Sequence, residues 1–87
     1  MTEVTFLLTR TGPGKKYLIM INGSVIGYIL RFITHAYPDM YRYELRMEID
    51  KERKYGVYKT EDDAKQKAVN VVTSFLVSQG VKDFQVR

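Results

Sequence analysis

The chain has no cysteine, no tryptophan, two prolines and a single histidine. Without cysteine there can be no disulfide and no thiolate metal site, and a reducing compartment suits such a chain. Nucleophilic catalysis needs Ser or Cys beside a base. Ser24, Ser74 and Ser78 have no partner base visible in the pattern, and the one histidine, His35, shares a Pro-Asp loop with Asp39. That loop reads as solvated, with a His35–Asp39 hydrogen bond or proton relay as the alternative. Gly12-Pro13-Gly14 lacks the following helix and lysine of a phosphate-binding loop. No apolar run approaches the roughly 20 residues of a membrane span. The N-terminal M-T-E-V-T-F lacks the basic-then-apolar order of a signal peptide. These absences predict a cytoplasmic, non-catalytic protein with no cofactor, no metal and no membrane partner.

Acidic residues are also the minority, 10 against 14 Lys and Arg, for a net charge of +4 among 87 residues. That balance permits anionic partners, including nucleic acid. The length allows one domain spanning residues 1–87 with a small core.

What is present sets the architecture. Lys54 to Ala68 reads as a short strand turning directly into a capped helix. Thr60 is an N-cap, and Glu61, Asp62 and Asp63 place negative charge on the first turn. Capping accounts for those three acids without a metal. Ala64, Ala68, Val71, Val72, Phe75 and Leu76 form the apolar stripe of a helix over about 61–78, and Gly80 is the expected residue beyond its end.

Strands come before it. Glu3 to Thr9 alternates, and Lys16 to Ile21 follows the Gly-Pro-Gly loop. Asn22-Gly23 is a hairpin turn signal. Val25 to Thr34 is apolar on both sides, as in a central strand. Tyr41 to Asp50 alternates Tyr41, Tyr43, Leu45, Met47 and Ile49 with Arg42, Glu44, Arg46, Glu48 and Asp50, so one face is core and one is wet. Lys51 to Lys54 is a charged turn, Tyr55 to Lys59 a short strand and Val81 to Val86 a last edge strand. The expected fold is α+β, an antiparallel sheet of four to six strands with one helix packed on a face.

Two surface features stand out. Arg10, Lys15 and Lys16 flank the first hairpin, while Lys51, Arg53, Lys54 and Lys59 flank the last. If these loops share one end of the sheet, they form a basic rim interleaved with Tyr17, Tyr55 and Tyr58. Such a rim neutralises phosphates and stacks unpaired bases. Charged hairpin ends equally keep a small sheet soluble. The second feature is the third strand, where Ile26, Tyr28, Leu30 and Phe32 form an apolar row left over once the helix covers the other side. A homodimer or protein partner would cover it, or the sheet would curl over it.

Tyr55 to Ala68, aromatic-Gly-x-aromatic-x-Thr-x-x-x-Ala-x-x-x-Ala, resembles the end of small three-strand-plus-helix DNA-binding domains, such as the plant ethylene-response-factor domain and the arm-binding domains of tyrosine recombinases. The resemblance implies a sheet that meets DNA and a helix packed behind it. It covers about a sixth of the chain, which lacks those families' tryptophans. The whole chain, short, cysteine-free and rich in tyrosine and lysine, also looks like small phage-encoded host-takeover or anti-defence proteins. That likeness implies an inhibitor or adaptor that binds and blocks a protein such as a nuclease or toxin. The residues themselves favour nucleic acid, RNA or DNA, as the first expectation. A purely structural assembly subunit is the third.

Overall fold

A computed structural model describes residues 1–87. The turn chemistry builds the first half. β1 (Thr2–Arg10) leads through a single 3₁₀ turn at Gly12–Gly14 into β2 (Lys16–Ile21). Asn22 and Gly23 then take φ of 49° and 83°, the positive values a tight hairpin needs, and β3 (Ser24–Phe32) returns beside β2. β4 (Met40–Leu45) follows, then a helical turn α1 (Lys51–Lys54), β5 (Tyr55–Tyr58), the long helix α2 (Glu61–Ser78) and β6 (Phe84–Val86). The six strands lie in the order β5-β4-β3-β2-β1-β6.

The fold is α+β as the sequence predicts, with one difference in the sheet. β1 to β5 pair antiparallel, but β6 lies parallel to β1, so the sheet is mixed. α2 carries the chain back across the sheet before β6 starts, and β6 therefore runs in the same sense as β1.

Local chemistry explains α2. The Thr60 hydroxyl accepts from the Asp63 N–H at 3.1 Å, satisfying one free donor of the first turn. At the other end Gly80, with φ of 82°, allows the Val81 N–H to reach the Leu76 carbonyl and the Gly80 N–H to reach the Val77 carbonyl. Ala64, Ala68, Val71, Val72 and Leu76 are buried against the sheet, and Phe75 is half-buried. The core is completed by Val4, Ile19, Ile29, Tyr43, Leu45 and Met47. Tyr58 stacks on Tyr43 with ring centres 6.2 Å apart, over Gly56, where any Cβ would meet both rings.

Three strands depart from the simple alternation, β1 by a register shift between Leu8 and Arg10 that sets Arg10 opposite Lys16. A bulge in the β2–β3 ladder sets Met20 opposite Val25 and Ile19 opposite Gly27, leaving Ile26 as the extra residue. Ile26 consequently packs against the core and does not join the row formed by Tyr28, Leu30 and Phe32. Gly27 is buried there, and a Cβ on it would lie 2.2 Å from the Glu44 carbonyl oxygen, so the position admits only glycine without a backbone shift. β4 also ends at Leu45 rather than Asp50. Met47 is still buried, but the Ile49 N–H bonds the Met47 carbonyl, so the chain has turned away from the ladder.

The helix covers one face only. The molecule spans 42 × 25 × 18 Å, and the thin dimension suits one helix on one sheet, with no third layer.

Candidate functional site

The strand registers assign the side chains to two faces. Toward α2 point Val4, Phe6, Tyr17, Ile19, Ile29, Tyr41, Tyr43 and Tyr58, by the alternation of paired residues from the buried positions. The other face therefore carries Leu7, Lys16, Leu18, Tyr28, Leu30, Phe32, Arg42, Glu44, Tyr55 and Val57. Across β3, β4 and β5 it reads Tyr28–Glu44–Tyr55 in one row and Leu30–Arg42–Val57 in the next. Nothing in the fold lies over this second face. Leu7, Tyr55 and Val57 are exposed, and Leu18, Tyr28, Leu30 and Phe32 are half-buried by their neighbours alone.

The polar groups on it form a defined set. Arg10 and Lys16 are directly opposed across β1 and β2. Like charges in that position repel, and neither has an acidic partner within ion-pair distance. The Lys16 ammonium sits 5.2 Å from the centre of the Tyr28 ring. The Tyr28 hydroxyl donates to the Glu44 carboxylate on the facing strand, which holds the ring down along the sheet. Arg42 stacks on Tyr55 at 5.0 Å and reaches Glu44 at 3.5 Å. Its Nε is buried without a hydrogen-bond partner.

Glu44 is the one acid among these groups. The hydrogen bond from Tyr28, with the charges of Arg42 and Arg46, holds its carboxyl below the usual range despite some burial. The same bond raises the Tyr28 hydroxyl above the ordinary tyrosine value, and burial adds to it. Arg46, exposed just beyond β4 and acting on Glu44, has no ion pair. Four cations, Arg10, Lys16, Arg42 and Arg46, thus stand around Glu44, while Glu3, on the same face at the start of β1, is paired with Arg87 at 3.3 Å.

The basic rim predicted from the loops is divided. β1 and β2 meet at the same end of the sheet as the start of α2, so Arg10, Lys15, Lys16 and Lys59 lie at that end. The β4–β5 connection lies at the opposite end and takes Lys51, Arg53 and Lys54 with it. Antiparallel strands put alternate loops at alternate ends, and these two connections differ by an odd number of strands.

Several of the expected contact residues are engaged elsewhere. Lys15 and Tyr17 bind the helix start: Glu61 accepts from Lys15 at 2.7 Å, from Lys65 at 3.2 Å and from the Tyr17 hydroxyl at 3.2 Å. Lys65 also covers the Tyr17 ring at 3.9 Å. Burial pushes the Glu61 carboxyl up, but the bonds from Lys15 and Lys65 outweigh it and hold it below its ordinary value. The bonds to Glu61 and Tyr17 in turn raise Lys15. Tyr58 is packed on Tyr43 under the helix. Arg53 pairs with Asp50 at 3.3 Å, and Lys59 lies over Tyr37 at 4.4 Å. Asp39 pairs with Arg31 rather than with His35, which is exposed.

Of the predicted contact residues, the structure gathers Arg10, Lys16 and Tyr55 on the open face, and it places Tyr28, Leu30 and Phe32 beside them. Sequence reasoning passed over Arg42 and Arg46. Their alternation with Glu44 and Glu48 did mark a wet strand face, but strand order was needed to set that face beside Lys16 and Tyr28. No pocket opens on the surface, and no cluster of three or more His, Cys, Asp or Glu side chains is placed to hold a metal ion. No helix is long and apolar enough to cross a membrane. No family model, no curated protein and no solved structure matches the chain.

Proposed function

We propose that the protein is a non-catalytic binder of single-stranded nucleic acid and that the open sheet face is its contact surface. The observation that carries this reading is the opposed, acid-free pair Arg10–Lys16 beside the flat Tyr28 ring and the Arg42–Tyr55 stack. A strand of phosphates removes the repulsion in the first, and unpaired bases find stacking surfaces in the second. Bases stack on aromatic rings and on guanidinium planes alike, at about 1–3 kcal/mol per base.

The roles divide by chemistry. Arg10, Lys16 and Arg46 contact phosphates, and each accounts for about one unit of salt slope. Tyr28, Tyr55 and the Arg42 guanidinium stack on bases. Leu7, Leu18 and Leu30 cover the edges of splayed bases. An open sheet face without a pocket suits an extended polymer better than a compact ligand. Duplex DNA is a poorer fit, because base faces are not available for stacking inside a helix. Glu44 tunes the site by keeping Tyr28 down and leaving a face of net positive charge.

The test is a salt-titrated binding assay with single-stranded RNA, single-stranded DNA and duplex DNA, on wild type and on Tyr55→Ala and Lys16→Ala. The proposal expects single strands to bind more tightly than duplex, with affinity falling steeply as salt rises. Lys16→Ala should flatten the salt slope, and Tyr55→Ala should weaken binding without changing that slope. Equal binding to duplex and single strands, unaffected by Tyr55→Ala, would reject the stacking face.

A further inference from the structure

A carboxylate on a phosphate-binding face weakens that binding unless it receives a donor from the ligand itself. Glu44 has room to receive one. The strand register sets it directly between Tyr28 on β3 and Tyr55 on β5, one strand spacing of about 4.8 Å from each. Its side chain remains 39% exposed. Oε2 accepts from the Tyr28 hydroxyl, and Oε1 has only the Arg42 Nη2 contact at 3.5 Å. An ionised carboxylate has about four acceptor positions over its two oxygens, so each oxygen can accept again. Arg42 is equally open, at 38%. Its guanidinium lies against Tyr55 and makes no hydrogen bond other than that to Glu44. Terminal N–H donors therefore stand free beside the carboxylate. The Tyr28 bond and the charges of Arg42 and Arg46 keep Glu44 ionised, and so acceptor-only, at neutral pH.

We infer that Glu44 and Arg42 together read guanine in the bound single strand, with Glu44 accepting from N1–H and N2–H and Arg42 donating to O6. The inference rests on the nucleic-acid reading of this face and adds a base preference to it. A base lying flat on Tyr28 or Tyr55 turns its edge toward the neighbouring strand, where these two side chains stand. Unpaired bases are commonly read there by hydrogen bonds to their Watson–Crick positions. Guanine alone presents one acceptor followed by two adjacent donors along that edge. The protein presents the complement, a guanidinium followed by the two oxygens of a carboxylate. The other bases fit less well. Adenine and cytosine each offer the carboxylate one amino group, and beside it a ring nitrogen whose lone pair repels the second oxygen. Uracil and thymine offer a single N–H between two carbonyl oxygens. Guanine thus supplies the two donors that offset the repulsion between Glu44 and nearby phosphates.

The test is fluorescence anisotropy with short uridine strands that carry one central guanosine, inosine, adenosine or cytidine. The guanosine strand should bind at least about tenfold tighter than the all-uridine strand, the discrimination of one good paired contact. Inosine keeps N1–H and O6 but lacks the N2 amino group, and should fall between the two. Adenosine and cytidine should stay well below guanosine. Glu44→Gln should remove the guanosine preference and leave uridine binding as tight as before or tighter, because a negative charge is lost from the face. Glu52→Gln makes the same charge change at an exposed position of α1 that has no ion pair, and should keep the preference. Equal binding of all strands by the wild type overturns the inference and leaves the nucleic-acid reading standing. A guanosine preference that survives Glu44→Gln overturns it as well. Failure of every strand to bind overturns both.

Discussion

Ile29 and Leu30 are neighbours on one central strand and stand in opposite surroundings. Ile29 is 1% exposed beneath α2. Leu30 is half-buried, directly opposite Lys16 on one side and Arg42 on the other. The covered face is made of aliphatic and aromatic side chains closed by two alanines of the helix. The open face has almost as many apolar groups, yet charged residues are set among them and nothing covers them. What distinguishes the two is therefore not hydrophobicity but the presence of cations without partners. A face of the first kind is used for folding. A face of the second kind keeps its apolar surface available at a cost in stability that a ligand can offset.

That contrast can be broken at its strongest point first. Ile29→Ala should destabilise the protein by about 3 kcal/mol, whereas Leu30→Ala should cost about 1 kcal/mol or less, both read from denaturant unfolding. Equal costs would mean that the open face is also core. Gly27→Ala comes next. Its Cβ would meet the backbone oxygen of Glu44, a neighbour that cannot rotate away, so a loss of about 2 kcal/mol is expected in the same experiment. On the open side, Tyr55→Ala should lower single-strand affinity by about 1–2 kcal/mol, roughly tenfold, and shift the unfolding midpoint little.

The smallest effect concerns the helix start. Glu61 titrates below its ordinary value of 4.5 in the folded protein. A depressed carboxylate adds stability that is fully present above the unfolded value and lost as pH falls through the folded one. Glu61→Gln removes that contribution. The variant should be less stable by about 1 kcal/mol at neutral pH, and its deficit should shrink as the pH falls below the unfolded value. Urea melts at a series of pH values measure this, and a deficit that stays constant would separate Glu61 from the acid response.

Much of the fold was legible because its signals are local. Asn22-Gly23, the Thr60 cap, the stripe from Ala64 to Leu76 and the Gly80 terminator each depend on residues a few positions apart. The rest depends on partners distant in sequence. β4 looks longer than it is because Met47 and Ile49 keep the alternation of buried side chains after the backbone has left the ladder at Leu45. Ile26 looks like a member of the Tyr28–Leu30–Phe32 row until the bulge opposite Ile19 turns it inward. The parallel sense of β6 follows from where α2 delivers the chain, which no residue of β6 encodes.

The candidate site divides in the same way. Arg10, Lys16 and Tyr55 were visible as basic and aromatic residues near turns. Their gathering with Arg42 and Arg46 required the strand order. Lys15 and Tyr17 look like surface groups from sequence, and only the return of the helix start to β2 engages them with Glu61. Arg53 and Lys54 are separated by parity from Arg10, Lys15 and Lys59, since their loop lies at the other end of the sheet.

The most direct measurement compares two charge reversals of equal size in one salt-titrated anisotropy assay with a single-stranded oligonucleotide. Lys16→Glu with Arg46→Glu changes the open face, where neither residue has an ion pair. Lys67→Glu with Lys82→Glu changes exposed positions on α2 and after it, which likewise have none. The account predicts that the first pair abolishes binding and the second leaves most of it. Equal losses from both pairs would contradict it, because net charge alone, and not the open face, would then hold the nucleic acid.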